Sequence, residues 1–117
     1  MRVIKVEPHR APYVIEIEGS LSSLQSEVEG YIECLYPFED EVGIVANEEG
    51  KILGMDFNRA LKDEDGNIYD IICGSFLVVG LTEDDFGSLT EEQIEKYMSL
   101  YSKIEEFLVI GDRIISI

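Results

Sequence analysis

The chain has 117 residues, of which 45% are hydrophobic and 29% charged, and no apolar run reaches the length of a membrane span. This length and composition predict one globular domain over residues 1–117, with a core that needs neither disulfides nor a metal. Because the net charge is −16 and the N-terminal segment has no signal-peptide apolar stretch, we expect a cytoplasmic protein that binds neither nucleic-acid phosphates nor anionic membranes directly.

The first third of the chain predicts a β-hairpin followed by a short helix. Residues 2–7 and 13–19 are rich in β-branched side chains and flank a turn that contains two prolines. Ser20 is a suitable N-cap, and the apolar stripe that follows it ends at Val28. Gly30 is then expected to end the helix in the left-handed conformation.

The middle of the chain predicts a succession of short strands. Residues 31–36 and 42–47 each form one, and an acidic turn leads into a short strand at residues 51–53. Residues 54–61 are expected to be irregular or to form a single helical turn.

Asp65-Gly66 predicts a tight hairpin turn, so residues 62–80 are interpreted as a hairpin that feeds the core. Residues 68–72 and 75–80 form strands on either side of Gly74, which marks a bulge or a bend. The second strand is apolar on both faces and is therefore placed centrally in the sheet.

The last third predicts the longer helix. Thr90 and Gln93 match a capping box, and apolar residues recur at helical spacing from Ile94 as far as Leu108. The β-branched tail at residues 108–117 is expected to return as a strand that either covers a sheet edge or pairs with another copy. These elements predict an α+β fold: an antiparallel sheet of about five to seven short strands with one short and one longer helix packed on it.

Two familiar site patterns are incomplete in this sequence. If Gly66 occupies the sixth position of a calcium-binding loop, the first and twelfth positions fall on Leu61 and Ile72, which are not acidic. His9 is the only histidine, and no nucleophile with an orienting acid lies near it in sequence. We therefore expect no catalytic residue, no metal, no cofactor and no enzymatic activity.

The candidate ligand-binding residues are Asn58, Arg59, Tyr69 and Asp70. Arg59 is one of nine cations in an acidic chain, and Tyr69 offers an aromatic face close to it in sequence. The structural alternative is that Asn58 caps a helical turn and that Arg59 pairs with Asp63 or Asp70.

Four segments of the chain are similar to those of a known family, within a resemblance that covers residues 1–101. The segments are Asn58-Arg59-Ala60-Leu61, Asp65-Gly66, Tyr69-Asp70-Ile71-Ile72 and Gly74-Ser75-Phe76. In these segments the chain resembles domain of unknown function family 3846, small proteins of bacteriophages, plasmids and conjugative elements of Gram-positive bacteria. The resemblance implies a mobile-element accessory protein in a bacterial host cytoplasm, and it supplies no catalytic residues.

Two functions are expected on this basis. The first is an anti-defence protein, expected to be a homo-oligomer because of its apolar tail, that sequesters a small nucleotide-like signalling molecule. The second is an acidic decoy that binds a basic host protein such as a restriction enzyme or nuclease, which requires the carboxylates to gather on one face.

Overall fold

The computed structural model describes residues 1–117, arranged as three layers around one antiparallel sheet. In chain order the elements are β1 (Arg2–Val6), β2 (Tyr13–Glu16), α1 (Leu21–Val28), β3 (Ile32–Leu35), β4 (Val42–Asn47), β5 (Phe57–Lys62), β6 (Ile68–Cys73), β7 (Phe76–Leu81), β8 (Phe86–Gly87), α2 (Glu91–Leu100), β9 (Phe107–Ile110) and β10 (Arg113–Ser116). The predicted α+β fold is confirmed. Neither helix has the length and apolar character needed to cross a bilayer.

The central sheet has six strands in the order β2-β1-β7-β4-β3, and the two-residue β8 pairs with the end of β7. The strands β7 and β4 lie side by side in the middle, and nearly all of their residues are buried. The prediction that β7 is central is confirmed. Both faces of these strands are apolar because both faces of the sheet are covered.

The two faces of the sheet carry different layers. On one face α1 packs Leu24 and Val28 against Leu77 and its neighbours. On the other face Ile94 and Tyr97 of α2, together with residues of β5 and β6, pack against alternate residues of the same strands. The side-chain alternation of a strand therefore divides the apolar residues into two cores.

The β5–β6 hairpin is a separate two-stranded sheet that covers the second face. Three predictions are corrected here: residues 51–53 form turns rather than a strand, β5 occupies most of the region expected to be irregular, and β6 and β7 belong to different sheets. Gly66 (φ 82°) supplies the expected hairpin turn, in which Asp63 Oδ1 accepts hydrogen bonds from the amides of Asp65 and Asn67. Gly74 (φ 83°) provides the expected bend between the two sheets.

The helix ends are determined by local side chains. Ser20 caps α1 as predicted, but the left-handed residue at its C-terminus is Glu29 (φ 63°) rather than Gly30. Gly30 instead lies against a side chain: a Cβ there would be 2.7 Å from Asn47 Nδ2, which donates to the carbonyl of Val28 and would have to move. The Thr90–Gln93 capping box is confirmed, although α2 stops at Leu100, well before the end of its apolar pattern.

Residues 107–116 form the β9–β10 hairpin and do not join either of the other sheets. The tail expected to return as one strand therefore forms two, and it does not add to the edge of the central sheet. The hairpin is anchored at its base, where the rings of Phe107 and Phe57 meet edge to face at a centroid distance of 5.5 Å. The rest of the hairpin is largely exposed.

Candidate functional site

Asn58 and Arg59 lie at the junction of the layers and are both 0% exposed. They belong to β5 and therefore do not cap a helical turn. Asn58 Nδ2 donates hydrogen bonds to the carbonyl oxygens of Val6 and Gly74, each at 2.9 Å. Through these bonds Asn58 joins the β5–β6 hairpin to the end of β1 and to the bend before β7.

The guanidinium of Arg59 extends the same network to α2. Its Nη1 donates to Asn58 Oδ1 at 2.8 Å, and its Nη2 donates to the carbonyl oxygens of Arg10 and Tyr101 at 2.9 and 3.0 Å. Tyr101 is the C-cap of α2, so the cation also lies at the negative end of the helix dipole. Arg59 therefore fastens three separate chain segments at one point.

The surroundings of Arg59 are unusual for a cation. Its Nε is buried and has no hydrogen-bond partner, and it forms no ion pair with Asp63 or Asp70, so both predicted pairings are wrong. Burial lowers the pKa of the guanidinium, while the nearby charge of Glu105 opposes that change. The side-chain amide of Asn58 and both Nη atoms of Arg59 donate hydrogen bonds to protein atoms. A direct ligand role for either residue is not tested by these contacts and stays a prediction.

A cleft of about 350 Å³ lies between the β5–β6 hairpin, the C-terminal end of α2 and the loop after β3, and Ala60 and Tyr101 beside Arg59 line it. We call it the Tyr69 cleft. Its lining residues are Pro37, Phe38, Ala60, Leu61, Lys62, Tyr69, Leu100, Tyr101, Lys103 and Glu105. Tyr69 is 59% exposed and stands at its opening, whereas Tyr101 is almost completely buried.

The Tyr69 cleft combines aromatic rings with positive charge. The rings of Phe38, Tyr69 and Tyr101 line it, Tyr69 being the exposed one, and Lys62 and Lys103 line it together with a single carboxylate, that of Glu105. Burial raises the pKa of Tyr101, so its hydroxyl is neutral at physiological pH. Such a surface suits a planar anionic molecule, since rings stack and ammonium groups bind anions.

A second cleft of about 260 Å³ lies between β4, the turn after it and β6, and it has the opposite charge. Glu33, Glu48 and Asp70 line it, and Asp70 pairs with Lys51. Burial, followed by the charge of Asp70, raises the pKa of Glu33. Asp70 thus lines this acidic cleft while its neighbour Tyr69 lines the other, as expected of adjacent strand residues.

The four predicted ligand residues are therefore not brought together at one opening. Of these four residues, only Tyr69 lines the Tyr69 cleft. Four other residues that line it are not predicted by the sequence: Phe38, Lys62, Tyr101 and Lys103. Lys62 begins the predicted hairpin of residues 62–80, and Tyr101 falls within the apolar helical pattern between Ile94 and Leu108. Only the packing of β5–β6 against α2 brings these residues together, and no local pattern in the sequence carries that information.

His9 occupies a third cluster, at the base of the β9–β10 hairpin. Its Nδ1 lies 3.4 Å from Glu106 Oε1, and its Nε2 lies 3.3 Å from Asp56 Oδ2. The hydrogen bond to Glu106 raises the pKa of His9 above its ordinary value of 6.5; desolvation lowers it by less, and the contact with Asp56 adds a further, smaller rise. The imidazole ring bridges two chain segments, and the cluster holds no nucleophile.

The role of Arg59 is tested by its replacement with lysine. Arg59→Lys should lower the free energy of unfolding by about 1–3 kcal/mol, because one ammonium group cannot reach Asn58 Oδ1 and the carbonyl oxygens of Arg10 and Tyr101 together. The matched variant Arg113→Lys, on the exposed β10, should stay within about 0.5 kcal/mol of wild type. Urea unfolding followed by circular dichroism measures both, and equal stability of the two variants would contradict the assignment.

The His9 cluster predicts a pH dependence with a defined sign. A raised pKa means that protonated His9 stabilises the folded state, so this contribution is complete below pH 6.5 and is lost as the pH rises through the raised value. An NMR titration of the single histidine should give a pKa above 6.5, and Glu106→Gln should lower it more than Asp56→Asn. Asp112→Asn, at the hairpin tip, serves as the control and should leave the pKa unchanged.

Comparison with known proteins gives one match. No curated protein and no solved structure matches the chain. A family model described as "Domain of unknown function (DUF3846)" matches residues 1–102, which leaves only the segment that contains the β9–β10 hairpin outside it. The chain therefore belongs to the DUF3846 family.

Proposed function

We propose that the protein binds a small, planar, anionic molecule of the nucleotide type in the Tyr69 cleft and acts by sequestering it. The observation that carries this proposal is the meeting of three aromatic rings and two lysines in one cleft of about 350 Å³. That volume is within the usual range of small-ligand sites. The proposal assigns binding and no covalent chemistry to the protein.

The distribution of charge favours this cleft over the other one. The chain has nine cations against 25 acidic residues, and Lys62 and Lys103 are both in the Tyr69 cleft. A local pair of cations attracts an anion at short range even where the net charge of the protein is negative, because distant charges are screened over about 10 Å. The acidic cleft around Asp70 offers an anion no such advantage.

The biological setting is proposed on the family resemblance. A mobile-element protein that acts in a bacterial cytoplasm would counter host defence by lowering the free concentration of a nucleotide signal. Sequestration requires a tight, preformed site rather than turnover. The fixed position of Tyr101, held by Arg59 through its carbonyl oxygen, is consistent with such a site.

Calorimetry against cyclic nucleotides and ADP-ribose-type nucleotides tests the proposal. A member of the panel should bind with one site per chain, and Tyr69→Ala and Lys62→Gln should each weaken binding about tenfold or more through lost stacking and lost charge. Lys51→Gln removes the same charge from the acidic cleft and should leave the affinity unchanged. Failure of the entire panel to bind would refute a nucleotide-type ligand.

We propose the acidic decoy as a second candidate because the fold gathers three acidic clusters at one end of the central sheet. Val42 pairs with Gly80, and the amide of Leu81 donates to the carbonyl of Glu41, which brings together the turns that follow β3 and β7. The amide of Leu89 donates to the carbonyl of Arg2 at the same end, where α2 begins. The clusters gathered there are residues 39–41, 83–85 and 91–92.

Inhibition assays on restriction enzymes and nucleases test the decoy. Inhibition should weaken at least about tenfold between low and physiological salt, because exposed charges are screened. Replacing the three acidic residues at 83–85 with the corresponding amides should reduce inhibition. The same replacement at residues 63–65, on the β5–β6 turn, should have little effect. An equal loss of inhibition in the two triple variants would show that only the net charge matters, which would contradict a binding face.

A further inference from the structure

The β9–β10 hairpin exposes apolar side chains on both of its faces. Neighbouring residues of a strand point to opposite faces, so a hairpin that packs on a core buries the side chains of one face. Here the residues on both sides are 42–69% exposed. They are Leu108, Val109, Ile110, Ile114, Ile115 and Ile117.

The hairpin also has unpaired backbone edges. β9 pairs only with β10, so each strand leaves one row of amide and carbonyl groups without a strand partner. Neither strand contains a proline or a lysine, the residues that usually protect such edges. An isolated two-stranded hairpin is at best marginally stable in water, which makes the addition of further strands favourable.

The charge of this segment points to the partner. Residues 107–117 carry one acid, Asp112, and one base, Arg113, and are therefore neutral within a chain of net charge −16. Two copies that met through other surfaces would bring like charges together, whereas two hairpins meet without that repulsion. The surface is thus electrostatically compatible with a second copy of the same chain.

The apolar surface of the hairpin is also large. The six exposed side chains present on the order of 500 Å² of apolar surface over its two faces, which is large for a monomer. Ile68 lies beside Ile114 and Ile115 along a shallow groove and extends the same surface. The main body, which the family model covers, does not depend on this hairpin for any of its strands.

We propose that two copies of this chain associate through their β9–β10 hairpins, edge to edge about a twofold axis, to form one four-stranded intermolecular sheet. Lys62 and Lys103 line both the groove beside the hairpin and the Tyr69 cleft, so association is measured without any ligand. The association gives the segment beyond the family match its own role as an oligomerisation element.

Sedimentation equilibrium of the full chain tests this association. Wild type should sediment at twice the 13.2 kDa mass of one chain at micromolar concentrations, and 1 M NaCl should not dissociate it, because the interface is apolar and neutral. Ile115→Lys should weaken dimerisation at least tenfold. Ile52→Lys makes the same change at a side chain 83% exposed on the turn after β4 and should leave the dimer intact.

A second variant separates loss of association from loss of folding. Val109→Thr keeps a β-branched residue in the strand and adds a hydroxyl, so it should weaken the dimer while the circular dichroism spectrum stays that of wild type. A wild-type protein that is monomeric at about 100 μM, a range in which even weak dimers form, would overturn the proposal. Unchanged dimers of both hairpin variants, or dissociation by Ile52→Lys, would overturn it equally.

Discussion

The buried guanidinium of Arg59 is the interaction on which the arrangement of the layers depends. The β5–β6 hairpin shares no strand pairing with the central sheet, so side chains must hold it in place. Apolar packing supplies most of the stabilisation but little direction. The hydrogen bonds of Asn58 and Arg59 fix the orientation of the hairpin. Asn58 Nδ2 donates to the carbonyl oxygens of Val6 and Gly74, and Arg59 Nη2 donates to those of Arg10 and Tyr101.

The position of the hairpin in turn creates the Tyr69 cleft. Arg59 holds the carbonyl oxygen of Tyr101 at the end of α2, and the next residues of β5 form the opposite wall. The residue therefore acts on the cleft through the segments it fastens, and its own donors remain inside the protein. This separates two roles that sequence reasoning had combined, namely a buried structural arginine and a neighbouring surface with ligand-binding chemistry.

Local signals predicted much of the fold. The Thr90–Gln93 capping box, the Gly66 turn and the doubly apolar β7 each depend on residues close in sequence, and each is confirmed. The errors occurred where distant contacts decide the outcome. β5 is a strand because it pairs with β6 and covers the core. α2 ends at Leu100, where Arg59 donates to the carbonyl of the C-cap Tyr101 and Glu105 accepts from the amide of Ala60 in β5.

The site was harder to predict for the same reason. Tyr69 was identified from its aromatic ring, but Phe38 and Lys103 come from loops that are far from it in sequence. Asp70 was grouped with Tyr69 because they are neighbours, although strand geometry directs the two side chains to different clefts. Sequence patterns thus identified suitable residue types, whereas the packing of β5–β6 on α2 selected which of them meet.

The central claim is that Arg59 is immobilised by its contacts with Asn58, Arg10 and Tyr101. NMR of the arginine side-chain nitrogens tests it directly, because a guanidinium held by several carbonyl oxygens rotates slowly and exchanges its protons slowly with water. The account predicts resolved Nη proton signals for Arg59, protected from exchange, with cross-relaxation to the backbone of Tyr101. A single averaged signal that exchanges as fast as that of Arg113 would contradict it.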